Sequence, residues 1–335
     1  MRSAFGTTFD VPLGYLNTAS IGVPPTPVAS VVADAVRRWS VGGDSPDAVD
    51  AQVSTARNAF GRLVGVPGER VAMGASVSQL VALVAAGLPA DASVLVARGD
   101  FTSLTFPFAA RGLRVTEVEL DEIASAAGAH DLVAVSVVQS ANGRIVDLEG
   151  LRAAGVPVLL DASQAVGWLP LELEWADWVV AAGYKFLMAP RGCAWLACSP
   201  SALERTVPVA ANWFGNEDPW SAVYGLPLRL ASDARRLDLS PVWLSQFGAA
   251  ASLPYLASLD MTAVRDHGVA LADAVLTGLG LPARGSAIVS LDLPSAGERL
   301  AAAGVRSSVR AGRVRLAFHL YNTVEDVDLV LKALD

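Results

Sequence analysis

Lysine occurs at two positions in this chain of 335 residues, Lys185 and Lys332. Lys185 stands in Ala182-Gly183-Tyr184-Lys185-Phe186-Leu187, directly after an apolar run. An ammonium in apolar surroundings loses hydration. That favours the neutral amine, the form that attacks a carbonyl to make a Schiff base. A strand-end lysine whose head reaches water fits the same string. Asp161 ends a second apolar run, in Leu159-Leu160-Asp161-Ala162-Ser163-Gln164. Open α/β sheets bind ligands at the carboxyl ends of their strands. A carboxylate there can keep a pyridinium nitrogen protonated, and Gln164 can hydrogen-bond a ring oxygen. The same aspartate can instead cap a following helix. A third string, Met73-Gly74-Ala75-Ser76-Val77-Ser78, opens an apolar helix. Its small residues leave backbone N–H groups free for an anion such as phosphate, with the Ser76 hydroxyl as an added donor or as an ordinary N-cap.

These strings need a sheet and helices to bring them together. Residues 26–200 alternate helix-like and strand-like segments. Helices are expected at 26–40, 51–63, 78–87 and 121–127. Strands are expected at 93–97, 113–118, 132–138, 156–160, 178–182 and 193–198. Short runs that are apolar on both faces fit a mostly parallel sheet covered by helices, an α/β arrangement. Residues 210–238 are rich in Trp, Pro, Asp and Asn and have no period, so they read as a long ordered excursion. Helices at 241–257 and 261–278, strands at 287–293 and 313–318, and a last helix from Val324 suggest a smaller α+β unit. The expected division is an N-terminal segment at 1–25, a large α/β domain at 26–238 and a small domain at 239–335.

The formal net charge is −8, and no basic run is present, which argues against nucleic acid as a partner. Hydrophobic residues make up 53% of the chain, yet no run of them is long and uninterrupted enough to suggest a membrane span. The first residues lack the pattern of a secretory leader, so a cytoplasmic location is expected. Two cysteines, Cys193 and Cys198, form no disulfide framework, and no Cys/His cluster suggests a metal.

Taken together, the phosphate-type turn, Asp161-Ala-Ser-Gln164 and Lys185 resemble the fold-type I pyridoxal-phosphate enzymes of the class V aminotransferase family, over nearly the whole chain. The resemblance implies pyridoxal 5'-phosphate as cofactor, carried by Lys185, with Asp161 at the pyridine nitrogen and Gln164 at the ring oxygen. It implies phosphate contacts from Ala75, Ser76 and Tyr184, and an aromatic cover from Phe101. Arg315 matches the arginine that holds a substrate carboxylate, and Asn17 a substrate-facing N-terminal loop. His319 is a weaker substrate-site candidate. Three positions depart from the family pattern. Ala182 replaces a phosphate-binding serine, Tyr184 stands where histidine is common, and Ser140 takes the place of an asparagine above the ring. The resemblance also implies a homodimer, with Ser240 or a neighbour reaching the partner's phosphate.

Within that family, sulfur transfer needs a mobile cysteine, and the segment 304–312 has none. Kynureninases are longer chains. A narrower resemblance is carried by Leu16-Asn17-Thr18-Ala19-Ser20-Ile21-Gly22, by the excursion with Trp213, Phe214, Trp220 and Tyr224, and by Arg235-Arg236-Leu237-Asp238-Leu239-Ser240. These strings are similar to the C–S lyases of ergothioneine biosynthesis, which cleave hercynylcysteine sulfoxide. That likeness implies a small sulfur amino acid as substrate. Trp213 and Phe214 would receive its cationic end, although packing of the excursion explains the same rings. An aminotransferase or kynureninase-like activity is the alternative, with cysteine desulfurase ranked behind it.

Overall fold

A computed structural model describes residues 1–335. In chain order its elements are β1 (Arg2–Ala4), β2 (Thr7–Phe9), α1 (Thr26–Trp39), α2 (Ala48–Val64), β3 (Val71–Gly74), α3 (Val77–Gly87), β4 (Ser93–Ala97), α4 (Thr102–Ala110), β5 (Arg114–Val118), α5 (Ile123–Ala126), β6 (Leu132–Ser136) and α6 (Leu148–Ala153). They continue with β7 (Val158–Asp161), β8 (Trp178–Ala182), β9 (Ala194–Cys198), α7 (Pro200–Arg205), α8 (Trp243–Ala257), α9 (Met261–Gly278), β10 (Ile288–Leu291), α10 (Ala296–Ala302), β11 (Ser308–Arg310), β12 (Arg313–Ala317) and α11 (Val324–Leu334).

Seven strands form the central sheet in the order β3-β9-β8-β7-β6-β4-β5. Only β9 runs against the others, since it pairs antiparallel with both neighbours. The fold is thus the expected α/β arrangement, with a mostly parallel sheet. Alternate residues of each strand enter different cores. Leu95, Val133, Leu160 and Val179 join one cluster, and Val96, Ala134, Leu159 and Val180 join the other. This two-sided burial explains why the strands read as unbroken apolar runs. A three-stranded antiparallel sheet, β10-β12-β11, packs with α9, α10 and α11 around a third core that contains Leu276, Val289, Leu316 and Val330. No helix is long and apolar enough to cross a membrane.

The N-terminal segment is ordered by contacts distant in sequence. β1 and β2 form a hairpin. The chain then runs as a strand-like rung beside β12, where Asn17 bridges Ala317 and the Ala317 amide donates to the Leu16 carbonyl at 2.9 Å. Buried Asp326 accepts the Gly14 amide at 2.7 Å and pairs with Arg2 at 2.6 Å.

Several elements differ from expectation. α4 is not among the expected helices: Pro107 stands inside it and its residues lack an apolar stripe. The helix expected at 121–127 is split into a 3-10 turn, the one-turn α5 and a second 3-10 turn, and only Leu120, Ile123 and Ala127 of this stretch are buried. The excursion contains only 3-10 turns, at Trp213–Gly215, Pro219–Ala222 and Ala234–Leu237. Its far end is fixed by a buried ion pair between Arg57 of α2 and Asp238, and Asp238 also accepts the Met73 amide at 2.7 Å.

Candidate active site

Lys185 follows the end of β8 by way of Gly183 and Tyr184. This turn is tight: the Gly183 amide donates to the Cys193 carbonyl at 2.9 Å, and a Cβ on Gly183 would lie 2.6 Å from Cys193 Sγ. The Lys185 side chain is buried and forms no ion pair. Its Nζ lies 5.4 Å from the centre of the Phe101 ring and 6.0 Å from that of Tyr184. Burial pulls the amine down to about 8; the Asp161 charge opposes this, and the Arg315 and Arg310 charges assist it. Most of the work of exposing a neutral amine is therefore done by desolvation.

Asp161 is the last residue of β7 and pairs in register with Ser136 of β6. Its Oδ1 accepts the Ser163 amide at 2.8 Å, and Ser163 Oγ accepts the Ala182 amide at 3.0 Å. The carboxylate is thus fixed by the turn that follows it, and that turn is tied to the strand that delivers Lys185. No helix follows Asp161 directly, so helix capping does not account for it. A second buried carboxyl, Asp100, accepts the Ser136 amide at 2.9 Å. Burial and the Asp161 charge push it up to about 6, against the pull of its Ser136 and Gln139 hydrogen bonds.

Gln164 Nε2 donates to the Ala19 carbonyl at 3.0 Å and to Ser140 Oγ at 3.1 Å, while its Oε1 is buried without a partner. Arg315 Nη1 donates to the Ser140 carbonyl and, at 3.0 Å, to Ser140 Oγ. Its Nη2 donates to Ser20 Oγ at 2.8 Å. Its Nε is buried and unpartnered, as is Asn17 Oδ1. Burial, with the nearby Arg310 charge, lowers the Arg315 guanidinium to about 10. Ser140 therefore sits between Gln164 and Arg315 as a shared support.

At the other end, Ser76 is the N-cap residue of α3, but its hydroxyl makes no capping bond. It approaches Ser78 Oγ at 3.4 Å, and the Ala75 amide meets Gln79 Oε1 at 3.3 Å. The first turn of an eleven-residue helix is thus available to an anion. The Tyr184 ring has the Arg191 guanidinium 5.1 Å from its centre.

The structure does not bring Trp213 and Phe214 to this cluster. Trp213 packs on Trp220 at 5.1 Å and on Phe214 at 5.4 Å. Phe214 lines a different, polar cavity with Arg57, Asp50 and Asp233. His319 is enclosed by Phe186 and Tyr321, and its Nε2 meets the Phe186 carbonyl at 3.0 Å. Burial lowers it to about 3, so it is a neutral core histidine. Three neighbours of the site were not singled out from the sequence: Asp100, Ser20 and Arg310. Asp100 directly precedes Phe101 and could have been found from that adjacency. Ser20 and Arg310 meet only through tertiary contact.

The residues present fit pyridoxal phosphate. A buried amine, a fixed carboxylate, an uncapped helix start and the unpartnered atoms of Gln164 and Arg315 each have a matching group on the cofactor or its substrate. Comparison with known proteins agrees. The family described as "Aminotransferase class-V" matches residues 109–282. An uncharacterized aminotransferase of Bacillus subtilis, YcbU, is 29% identical over 309 residues, covering 81% of this chain and 80% of its own. Isopenicillin N epimerase of Streptomyces clavuligerus is 30% identical over 189 residues, covering 49% of this chain and 48% of its own. Among solved structures, the cystine C-S lyase C-DES superposes with a TM-score of 0.83 at 18% identity, covering 97% of each chain. A cysteine desulfurase of Thermococcus onnurineus does so at 0.82 and 19% identity, covering 96% of this chain and 94% of its own. The chain belongs to the class V aminotransferase family and is an enzyme that depends on pyridoxal 5'-phosphate.

Proposed function

We propose that the protein is a C–S lyase that cleaves hercynylcysteine sulfoxide by β-elimination, yielding ergothioneine, pyruvate and ammonia. The choice of elimination over sulfur transfer is carried by one observation. Both cysteines are buried, and burial pushes each thiol up to about 12, so neither is a thiolate ready to accept sulfur. The choice of substrate is supported by the Leu16–Gly22 string and the Trp-rich excursion.

When bound, pyridoxal phosphate supplies an electron sink for negative charge at the substrate α-carbon. Asp161 keeps the ring nitrogen protonated, and Phe101 covers one ring face. Ser76, Tyr184 and the Ala75 amide hold the phosphate, and Gln164 with Ser140 holds the ring oxygen. Arg315 takes the substrate carboxylate through its unpartnered Nε and the Nη2 hydrogen that Ser20 leaves unused, a two-point seat. Lys185 removes the α-proton as a neutral amine. The Cβ–S bond then breaks and the sulfur leaves as a sulfenic acid, which two equivalents of added thiol reduce to ergothioneine with release of a disulfide and water. The three-carbon remainder leaves as 2-aminoacrylate, which water hydrolyses to pyruvate and ammonia.

We further propose that the enzyme acts in the cytoplasm as a homodimer. Trp39, Val41, Tyr224, Leu226 and Trp243 are exposed, and Trp39 and Trp243 flank an apolar cavity of about 220 Å³. In this arrangement Ser240 and the excursion, with Trp213 and Phe214, approach the partner's site.

The test is incubation of cofactor-loaded protein with hercynylcysteine sulfoxide and a thiol reductant, with pyruvate as readout. Stoichiometric pyruvate is expected. Loaded protein that releases none overturns the reading. Conversion of the cofactor to its amine form without pyruvate replaces it with an aminotransferase.

A further inference from the structure

Two arginines converge on one hydroxyl beside the active lysine. Arg315 Nη2 donates to Ser20 Oγ at 2.8 Å, and Arg310 Nη2 donates to the same atom at 3.3 Å. Arg315 is buried and Arg310 is exposed on β11, the strand next to β12. Neither forms an ion pair with any carboxylate of the chain. The other Arg310 contact is a donation from Nη1 to the neighbouring Val309 carbonyl at 2.8 Å. Ser20 Oγ accepts from both guanidiniums, so its own hydrogen remains to be donated.

Such an arrangement is unfavourable without an anion. The charges repel one another, and their field reaches both Arg315 and Lys185, whose affinities for protons are lowered by Arg310. One carboxylate saturates Arg315. Its Nη1 is occupied by Ser140 and one Nη2 hydrogen by Ser20, so Nε and the other Nη2 hydrogen offer a single two-point seat. Arg310 reaches the same Ser20 hydroxyl, forms no ion pair and keeps an unmatched positive charge. Ser20 also borders a cavity of about 430 Å³, walled by Ile21, Val28, Tyr184 and Met188. An apolar spacer fits there, next to the charged rim.

We propose that Arg310 and Ser20 form a second anion site, and that the substrate is an amino acid whose sulfur substituent carries a carboxylate of its own. Arg310 with the Ser20 hydroxyl reads that second carboxylate, and the apolar cavity holds the spacer. The inference rests on Arg315 as the seat of the α-carboxylate, and it names the substrate class at the site described above. Arg310 is then a specificity-determining residue with no part in the proton transfer.

The test compares two thioethers that differ by the second carboxylate, S-methyl-L-cysteine and S-(2-carboxyethyl)-L-cysteine. Each is titrated into the cofactor-loaded protein, and its dissociation constant is read from the change in cofactor absorbance near ~420 nm. The carboxyethyl compound is expected to bind at least about tenfold more tightly, the value of one added charge-assisted hydrogen bond. In Arg310→Gln the ratio of the two constants falls towards one. Arg310→Lys, a point charge without the fork, retains part of it. The side chain is exposed, and the absorbance band itself reports that each variant is folded and loaded.

Equal binding of the two compounds by the unaltered protein overturns the proposal. So does a ratio unchanged in Arg310→Gln, or an equal weakening of both ligands, which would place Arg310 on the α-carboxylate. Neither ligand has to be cleaved. If hercynylcysteine sulfoxide gives no pyruvate while the ratio holds, only the lyase reading fails. If pyruvate forms while the ratio is absent, only the second anion site fails.

Discussion

Gly22 lies directly against Lys185: a Cβ on Gly22 would stand 1.9 Å from the Lys185 carbonyl oxygen, and the Gly22 amide donates to the Tyr184 carbonyl at 2.9 Å. The N-terminal segment is thereby a wall of the turn that carries the lysine. Gly22→Ala must push this turn away. A displacement of about 1 Å at a reacting group costs on the order of 10²-fold in rate. Cofactor retention after dialysis, read from absorbance near ~420 nm, is expected to fall well below that of the unaltered protein. Full retention with unchanged turnover would show that the segment does not position Lys185.

The two lysines give a clean contrast. Lys185→Ala is expected to abolish the ~420 nm band, because no other amine is buried beside Asp161 and Phe101. Lys332→Ala, in the last turn of α11, should leave the band intact. A Lys185→Ala protein that keeps the band would assign the Schiff base elsewhere.

The Lys185 environment also fixes a pH dependence. With the amine near 8, its neutral fraction rises about tenfold per pH unit below that value and levels off above it. The rate at which cofactor-free protein gains the ~420 nm band on adding pyridoxal phosphate should follow this curve. Asp161→Asn removes the charge that favours the ammonium, so the midpoint should fall. Arg315→Gln removes a charge that disfavours it, so the midpoint should rise. Shifts of the opposite sign would refute this account of the lysine.

The centre of this site was readable in the sequence because it is local. Asp161, Gln164 and Lys185 sit at or just beyond strand ends, and apolar runs mark those strands. The strand at 178–182 matches β8 residue for residue. The rim was not readable. Ser20 meets Arg310 and Arg315 across separations of 290 and 295 residues, and no local pattern encodes such a meeting. Likewise α4 hid behind Pro107, and the Gly14–Asp326 bond that orders the N-terminus joins residues 312 apart.

Asp100 makes a separate prediction, about stability. Its carboxyl is raised in the folded protein to about 6, so between about pH 4 and 6 the native state holds more protons than the unfolded chain. Stability therefore falls as pH rises through this window, by up to about 3 kcal/mol for the two-unit shift. Asp100→Asn keeps an oxygen for the Ser136 amide and removes the titration. In urea melts of cofactor-free protein, its advantage over the unaltered chain should be larger at neutral pH than at the acid end of the window. A constant difference across that range would rule out Asp100 as the group responsible.

The buried Arg57–Asp238 pair makes another. Removing one partner of such a pair typically costs about 3–5 kcal/mol, because the other charge stays buried. Arg57→Ala should lower the urea midpoint accordingly. It should also loosen the excursion, detected as faster proteolysis between 210 and 238. A midpoint change within error would show that Asp238 is held by the Met73 amide alone.

The same pair has a consequence for how the molecule behaves among its copies. β3 is the outer strand of the central sheet, and an outer strand normally exposes backbone groups to which another chain can add. Here those groups are taken. Arg57 donates to the Val71 carbonyl, Asp238 accepts the Met73 amide, and the Leu239 amide donates to the Met73 carbonyl at 3.1 Å. The side chains of Arg57 and Asp238 and the backbone of Leu239, just past the excursion, thus stand where an eighth strand would pair. They close this edge to strand addition and to the aggregation that follows from it.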